Sequence, residues 1–424
     1  MKYFYVAALI LSFVFSASAA TFNDLEKLAV AKTKANSRVI LSDDASLKAI
    51  KNADVFESGN VPNYIRAMAQ NTKAASQYAN LIQTFLFGGT IKPEIKMAMA
   101  LKIGEATGSA YTFAQAQRWL KASENGQKWL TVLRANKLQM LSPSEQMAIR
   151  YATLLTNDVH GITDEEFQKV RGFYNDSQIV ELTMVVCLFN HFARFVEATN
   201  LPVETWVLSD TPKTPENLSK YSAPTTRIAL ISDNEMAATQ KVTEAAKTPQ
   251  TPQQGLGIAV ANSQRAMLRV PNLAQAWREF GTQNRQYWTI DRNIQLQISF
   301  AVSMANGCRY CTLHQVLGLR RLGVNPAKLL AMKKDDSALT ARELTAVVFA
   351  RKLTKTPALI TDADFAKLKA EFGEQGAVEV ILQTGGFAFM NRFTDNLRLP
   401  SEDEAVKNYQ EVYGDGSFKQ NWKF

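Results

Sequence analysis

Apolar residues recur along this chain at spacings of three and four, the period of a helix with one buried face. Glu145 to Leu155 and Glu343 to Leu353 both carry that pattern. Each is preceded by a hydroxyl residue, Ser142 or Thr340, with glutamate three positions on, the reciprocal cap of a helix N-terminus. Thr163 and Thr361 begin the next helices in the same style, and Glu181 to Thr199 reads as a further apolar helix. No stretch alternates with period two for long, and the glycines fall at breaks. The pattern predicts an all-α fold.

Compared with itself, the chain repeats. Leu141 to Pro202 aligns without gaps to Leu339 to Pro400, and 18 of those 62 positions are identical, well above chance. The match is anchored by Ile162-Thr163-Asp164 against Ile360-Thr361-Asp362, Arg194-Phe195 against Arg392-Phe393, and Leu201-Pro202 against Leu399-Pro400. Upstream, Ile91, Ile95, Gly108 and Tyr111 answer Ile290, Ile294, Gly307 and Tyr310. Val61-Pro62-Asn63 is paired with Val270-Pro271-Asn272, which requires about ten extra residues in the first copy, around Phe85 to Thr90. Arg38 to Asp43 resembles Arg227 to Asp233. The organisation that follows is a first copy at 37–205, a linker at 206–225, a second copy at 226–403 and a polar tail at 404–424. Two bundles of about six helices each would then pack as a pseudo-dimer.

The second copy holds a cluster without parallel elsewhere in the chain: Asn306-Gly307-Cys308-Arg309-Tyr310-Cys311-Thr312-Leu313-His314. It interrupts helix-like sequence at an Asn-Gly break. Asn306 is placed to cap the following helix, and Cys308, Cys311 and His314 then share one of its faces near the N-terminus. The free N–H groups and dipole there favour a thiolate, which lowers a cysteine pKa and makes it a nucleophile. A zinc site would need a fourth ligand, and Cys187, His160 and His191 lie far off in sequence. Haem attachment needs His directly after the second cysteine, where Thr312 stands. An inert structural disulfide, or two buried small hydrophobes, is the alternative to redox chemistry. The first copy has Ser109, Thr112 and Gln115 at the corresponding places, so its site reads as degenerate. Cys187 reads as a small core residue, and His160 and His191 as an ordinary loop and an ordinary helix histidine.

Met1 to Ala20 places Lys2 before an apolar run and ends in small residues at alternate positions, the order of a secretory signal peptide cleaved near Ala19 or Ala20. No later segment reads as continuously apolar enough to cross a membrane. The mature chain is therefore expected to be soluble and periplasmic or secreted. Three cysteines are too few for a disulfide scaffold, so a lone C-x-x-C in an oxidising compartment points to function. The net charge of +9 is scattered, with no basic run longer than a pair, which argues against nucleic-acid binding.

Taken together, Val270-Pro271-Asn272, Asn306-Gly307-Cys308-Arg309-Tyr310-Cys311 with His314, Ile360-Thr361-Asp362 with Phe365, and Asn391-Arg392-Phe393 resemble the carboxymuconolactone decarboxylase/alkyl hydroperoxidase D-like (AhpD-like) family. Each half resembles one such all-helical domain. The resemblance implies a peroxidase or thiol-disulfide oxidoreductase, an antioxidant activity with a redox-active disulfide. Cys311 would be the attacking thiol, Cys308 the resolving one and His314 the proton relay. It implies a small peroxide or disulfide substrate, an external thiol electron donor and further self-assembly, and it calls for no cofactor or metal. The chain departs from the family at two places. The usual histidine position is Gln315, with His314 one place early, and the usual glutamate position is Leu296, aligned with Met97. Small-acid chemistry of the decarboxylase kind and a non-catalytic binding protein are the competing readings.

Overall fold

The computed structural model describes residues 20–48, 50, 59–209 and 261–414. The signal-peptide segment before Ala20, the linker from Asp210 onward, the start assigned to the second copy at 226–260 and the last ten residues lie outside them. The described residues are all helical, and the predicted caps are present. Ser142 and Thr340 accept from Glu145 and Glu343 N–H in reciprocal boxes, and Thr163 and Thr361 open helices Asp164–Arg171 and Asp362–Asn396.

Helix Asp176–Ala198 packs against the part of Asp362–Asn396 that follows the break at Gly373, where φ of 69° interrupts the helix, and the pair brings the halves together. One apolar core runs through both halves, and a smaller cluster around Leu296, Phe300, Leu313 and Tyr409 belongs to the second. The seam is close-packed. A Cβ on Gly385 would lie 2.6 Å from Cδ2 of His191, so only glycine lets these two helices approach as they do. His191 is not an ordinary helix histidine: buried at the seam, with Nδ1 3.0 Å from the Tyr78 hydroxyl, it is pushed by burial down to about 3 and is neutral. Tyr78 meets Phe280, and Phe85 meets Phe389, edge to face across the halves. Cys187 is wholly buried at the seam, and burial pushes its thiol up, in keeping with a core residue.

Several contacts occur twice. Asn63 Nδ2 donates to Pro202 O, and Asn262 Nδ2 to Pro400 O, both at 3.0 Å. Glu181 accepts from Thr90 and Ile91 N–H, and Glu379 from Thr289 and Ile290 N–H. Asn200 and Arg398 turn the chain in the left-handed region with φ 47° and 46°. These contacts correct the alignment at one place. Asn63 corresponds to Asn262 at the same offset of 199 that relates Ile91 to Ile290, so no ten-residue insertion exists and Val270-Pro271-Asn272 is not the counterpart of Val61-Pro62-Asn63. The shared Val-Pro-Asn arises where Pro271 opens a different helix, Pro271–Arg278.

Three further expectations change. Residues 404–413 are not a polar tail, because helix Asp403–Tyr413 buries Ala405, Tyr409 and Val412 against the motif helix. Residues 206–209 belong to helix Thr205–Ser209, with Val207 buried, and so form no open linker. Asp176–Ala198 is long and apolar enough to cross a membrane, contrary to the reading of the sequence, yet the window that passes is wholly buried. A helix enclosed on every side is apolar all round.

Candidate functional site

Helix Arg292–Asn306 ends at Gly307, whose φ of 73° and ψ of 21° lie in the left-handed region that glycine tolerates. The chain then extends for one residue, Cys308, and enters helix Arg309–Arg321. Cys308 is itself the cap, its sulfur accepting the Cys311 N–H at 3.3 Å. Asn306, expected in that role, is the last residue of the preceding helix, and its amide donates to Asn391 Oδ1 at 2.9 Å. The left-handed glycine takes up the turn and moves the cap two residues downstream.

Both thiols are free and buried, Cys308 completely and Cys311 to 4 % exposure. They converge on Thr394 of the long helix, with Oγ1 3.3 Å from Cys308 Sγ and 3.4 Å from Cys311 Sγ. The Thr394 hydroxyl donates to Met390 O at 3.0 Å, which leaves its lone pairs to receive S–H donors. The thiols also interact with each other.

Beside Cys308 lies Asp395, a residue that the reading of the sequence did not single out. Its carboxyl is pushed up to about 6 by burial, partly offset by a hydrogen bond with Cys308 and by the nearby His160 and Arg392. The Cys308 thiol is pushed well above its ordinary value, first by burial, then by the neighbouring Cys311 sulfur and Asp395. The helix start was expected to lower a cysteine pKa, and at Cys308 the shift runs the other way. A helix N-terminus stabilises a thiolate by at most about 2 kcal/mol, and complete burial beside an acid outweighs it.

His160, read as an ordinary loop residue, reaches this site from the other half. Its Nε2 lies 2.9 Å from Asn306 O and 3.8 Å from Asp395 Oδ2. A first-half histidine thus closes the motif of the second half.

His314 sits one turn beyond Cys311. Its Nδ1–H donates to Tyr310 O at 2.7 Å, and its ring stacks on that of Tyr310 with centroids 4.2 Å apart. Nε2 approaches Glu402 Oε2 to 2.7 Å. Glu402 precedes helix Asp403–Tyr413 without a side-chain hydrogen bond to it, and accepts from Asn262 N–H at 2.6 Å and the Tyr310 hydroxyl at 3.1 Å. Burial pushes Glu402 up, but the contacts with His314 and Asn262 hold it below the ordinary range. Leu296 is buried in the small apolar cluster, so the carboxylate facing His314 comes from a different helix than the one the resemblance implies. Gln315 is buried.

The corresponding place in the first half keeps the frame without the thiols. Ser109 Oγ donates to Glu197 Oε1 at 2.8 Å, Tyr111 OH to Glu204 Oε1 at 2.7 Å, and Gln115 Nε2 to Glu204 Oε2 at 3.3 Å. The acids Glu197 and Glu204 match Asp395 and Glu402 at an offset of 198, and that shared acidity is the signal in the sequence that marks them. Among the described residues no group of three or more His, Cys, Asp or Glu side chains is arranged to hold a metal ion.

No known family matches the chain, and no curated protein matches it. Among solved structures, the debrominase Bmp8, determined as a cysteine-to-alanine variant in complex with 2,3,4-tribromopyrrole, shares 21% identity over 45% of this chain and all of its own, with a TM-score of 0.38.

Proposed function

We propose that this protein is a thiol-disulfide oxidoreductase that reduces a peroxide at Cys311 and Cys308. The observation carrying the reading is the convergence of two free thiols on Thr394 Oγ1 at a helix start, with an acid of raised pKa against one of them. Cys311, the less completely buried, attacks the peroxide as thiolate, breaking the O–O bond to give a sulfenic acid and an alkoxide that takes up a proton. Cys308 stays protonated through that step. It then gives its proton to Asp395, its sulfur attacks the sulfenic sulfur, and Asp395 passes that proton to the departing hydroxide, which leaves as water as the disulfide forms. A dithiol donor outside the chain returns two electrons and two protons. The ring of His314, held against Glu402 Oε2 at 2.7 Å, is placed one turn from Cys311 to relay protons.

The same reading places the chain as two tandem AhpD-like copies, the first degenerate, fused as a pseudo-dimer and exported after signal-peptide removal. The recurrent contacts at a near-constant offset support the duplication. The decarboxylase-like alternative draws on Asp395 and His160, an acid and a base available without the thiols.

The test is peroxide consumption by wild type, Cys311→Ser and Cys308→Ser with a dithiol donor. Wild type consumes peroxide, Cys311→Ser does not, and Cys308→Ser stops after one turnover as a sulfenic acid that a dimedone probe traps. Consumption by Cys311→Ser at the wild-type rate, or a wild type that never forms the disulfide with peroxide, refutes the reading.

A further inference from the structure

His160 belongs to the first half, yet its ring lies against the dithiol of the second. Its Nε2–H donates to Asn306 O at 2.9 Å, since a carbonyl can only accept, and a Cβ on Gly307 would stand 3.8 Å from the same nitrogen. The turn that leads into Cys308 therefore packs on this ring. Nε2 is also 3.8 Å from Asp395 Oδ2, an oxygen that is buried and has no hydrogen-bond partner among the described residues. The groups facing Asp395 are Cys308 on the motif, His160 on the first-half loop, Cys187 on helix Asp176–Ala198 and Arg392 on its own helix. Arg392 acts on it only through charge, and burial keeps Cys187 neutral. Asp158 accepts the backbone N–H of His160 at 3.0 Å and fixes the loop. The first half offers a comparison. At the offset of 198 that relates Thr163 to Thr361, His160 is answered by Ala358, and Asp395 by Glu197, which pairs with Lys32 of its own half at 2.9 Å. A histidine reaching across the seam thus accompanies the thiols.

We propose that His160 is a positioning residue for the resolving step, turning the Asp395 carboxylate toward Cys308 and keeping it ionised so that it can take the thiol proton. The proposal rests on the thiol-disulfide reading and makes the two halves one catalytic unit, with the thiols on one and a residue that readies their base on the other. A buried carboxylate without a donor takes up a proton, and a protonated Asp395 cannot act as a base. Closing the 3.8 Å separation to a charge-assisted hydrogen bond takes about 1 Å of side-chain movement. In the step so assisted, the Cys308 S–H bond breaks to Asp395, the S–S bond forms at the sulfenic sulfur and the S–O bond breaks. The proton leaves Asp395 with the hydroxide as water. His160 keeps its own protons throughout.

The experiment is a single turnover of the reduced protein with hydrogen peroxide, quenched with dimedone at intervals and read by mass spectrometry as sulfenic acid against disulfide, across the pH range in which Asp395 titrates. In wild type the disulfide forms faster as pH rises and Asp395 ionises. In His160→Leu the sulfenic acid still forms at Cys311, which shows a folded site, but its resolution slows about tenfold below the midpoint and the pH profile moves upward by about one unit. His160→Gln, which keeps an N–H donor, recovers part of that rate. Because His160 acts through Asp395, adding His160→Leu to Asp395→Asn slows resolution no further. An unmoved pH profile in His160→Leu, no recovery in His160→Gln, or a further loss in the double variant overturns the proposal while leaving the thiol-disulfide reading intact. A wild type that forms no sulfenic acid sinks that reading, and this role with it.

Discussion

Replacing Asp395 by Asn tests whether this acid sits in the fold as a cost or as half of an ion pair. Asp395 is 5 % exposed, and burial pushes its carboxyl from the ordinary 3.8 up to about 6. A group whose folded pKa is raised contributes stability that is fully present below the unfolded value and is lost as pH rises through the folded one. The interval from 3.8 to about 6 corresponds to on the order of 3 kcal/mol of penalty once the carboxyl is ionised. Asparagine removes that penalty but weakens the contact with Cys308, a loss of about 1 kcal/mol. The variant should therefore be more stable than wild type by about 2 kcal/mol at pH 8. For a chain of this size that is about 2 to 3 °C in melting temperature, from the usual unfolding entropy per residue. Between pH 7 and pH 4.5 the advantage should shrink and then disappear as wild-type Asp395 takes up its proton. Thermal unfolding of both proteins across that range is the assay. The competing possibility is that the His160 contact at 3.8 Å makes Asp395 a stabilising carboxylate. An Asn variant that is less stable at pH 8, with a deficit growing as pH rises, would refute the burial argument. In peroxide turnover the same variant should accumulate the sulfenic acid, because Cys308 has lost its proton acceptor.

Glu402→Gln should destabilise the protein at neutral pH, since partner contacts hold the carboxyl below its ordinary range. A depressed folded pKa contributes stability that is present above the unfolded value and lost as pH falls through the folded one, so the difference from wild type should fade on acidification, read by thermal unfolding. Gly385→Ala should cost about 1 to 3 kcal/mol in urea unfolding, because its Cβ meets the His191 ring, and the cost should be smaller in a His191→Ala background. His160→Ala should lose about 1 kcal/mol and make Cys308 more accessible to alkylation, read by mass spectrometry, because the 2.9 Å contact with Asn306 O closes the motif from the other half. The intact mass of exported protein should place the mature start at Ala20 or Thr21, and a mass retaining Met1 to Phe15 would count against export by signal peptide.

The helical period, the caps at Ser142, Thr340, Thr163 and Thr361, and the internal match determine the all-α class and most helix starts, because these signals depend on neighbours a few residues apart. The position of the thiols at a helix start is equally local, apart from the two-residue shift of the cap caused by the left-handed turn at Gly307. The amphipathic stripe of Ala405, Tyr409 and Val412 was present too, but its residues are weakly apolar and the partner that makes them a buried face lies on the motif helix. What only the tertiary structure decided is the surroundings of the sulfurs. Thr394 and Asp395 lie more than eighty residues from the cysteines in sequence, Glu402 over ninety from Cys308, and His160 in the other half altogether. Their effect on the site depends on distance and burial, and neither is a property of sequence spacing. That is why the helix-start argument predicted a lowered cysteine pKa, whereas the folded chain, which removes water and sets an acid beside Cys308, raises that thiol.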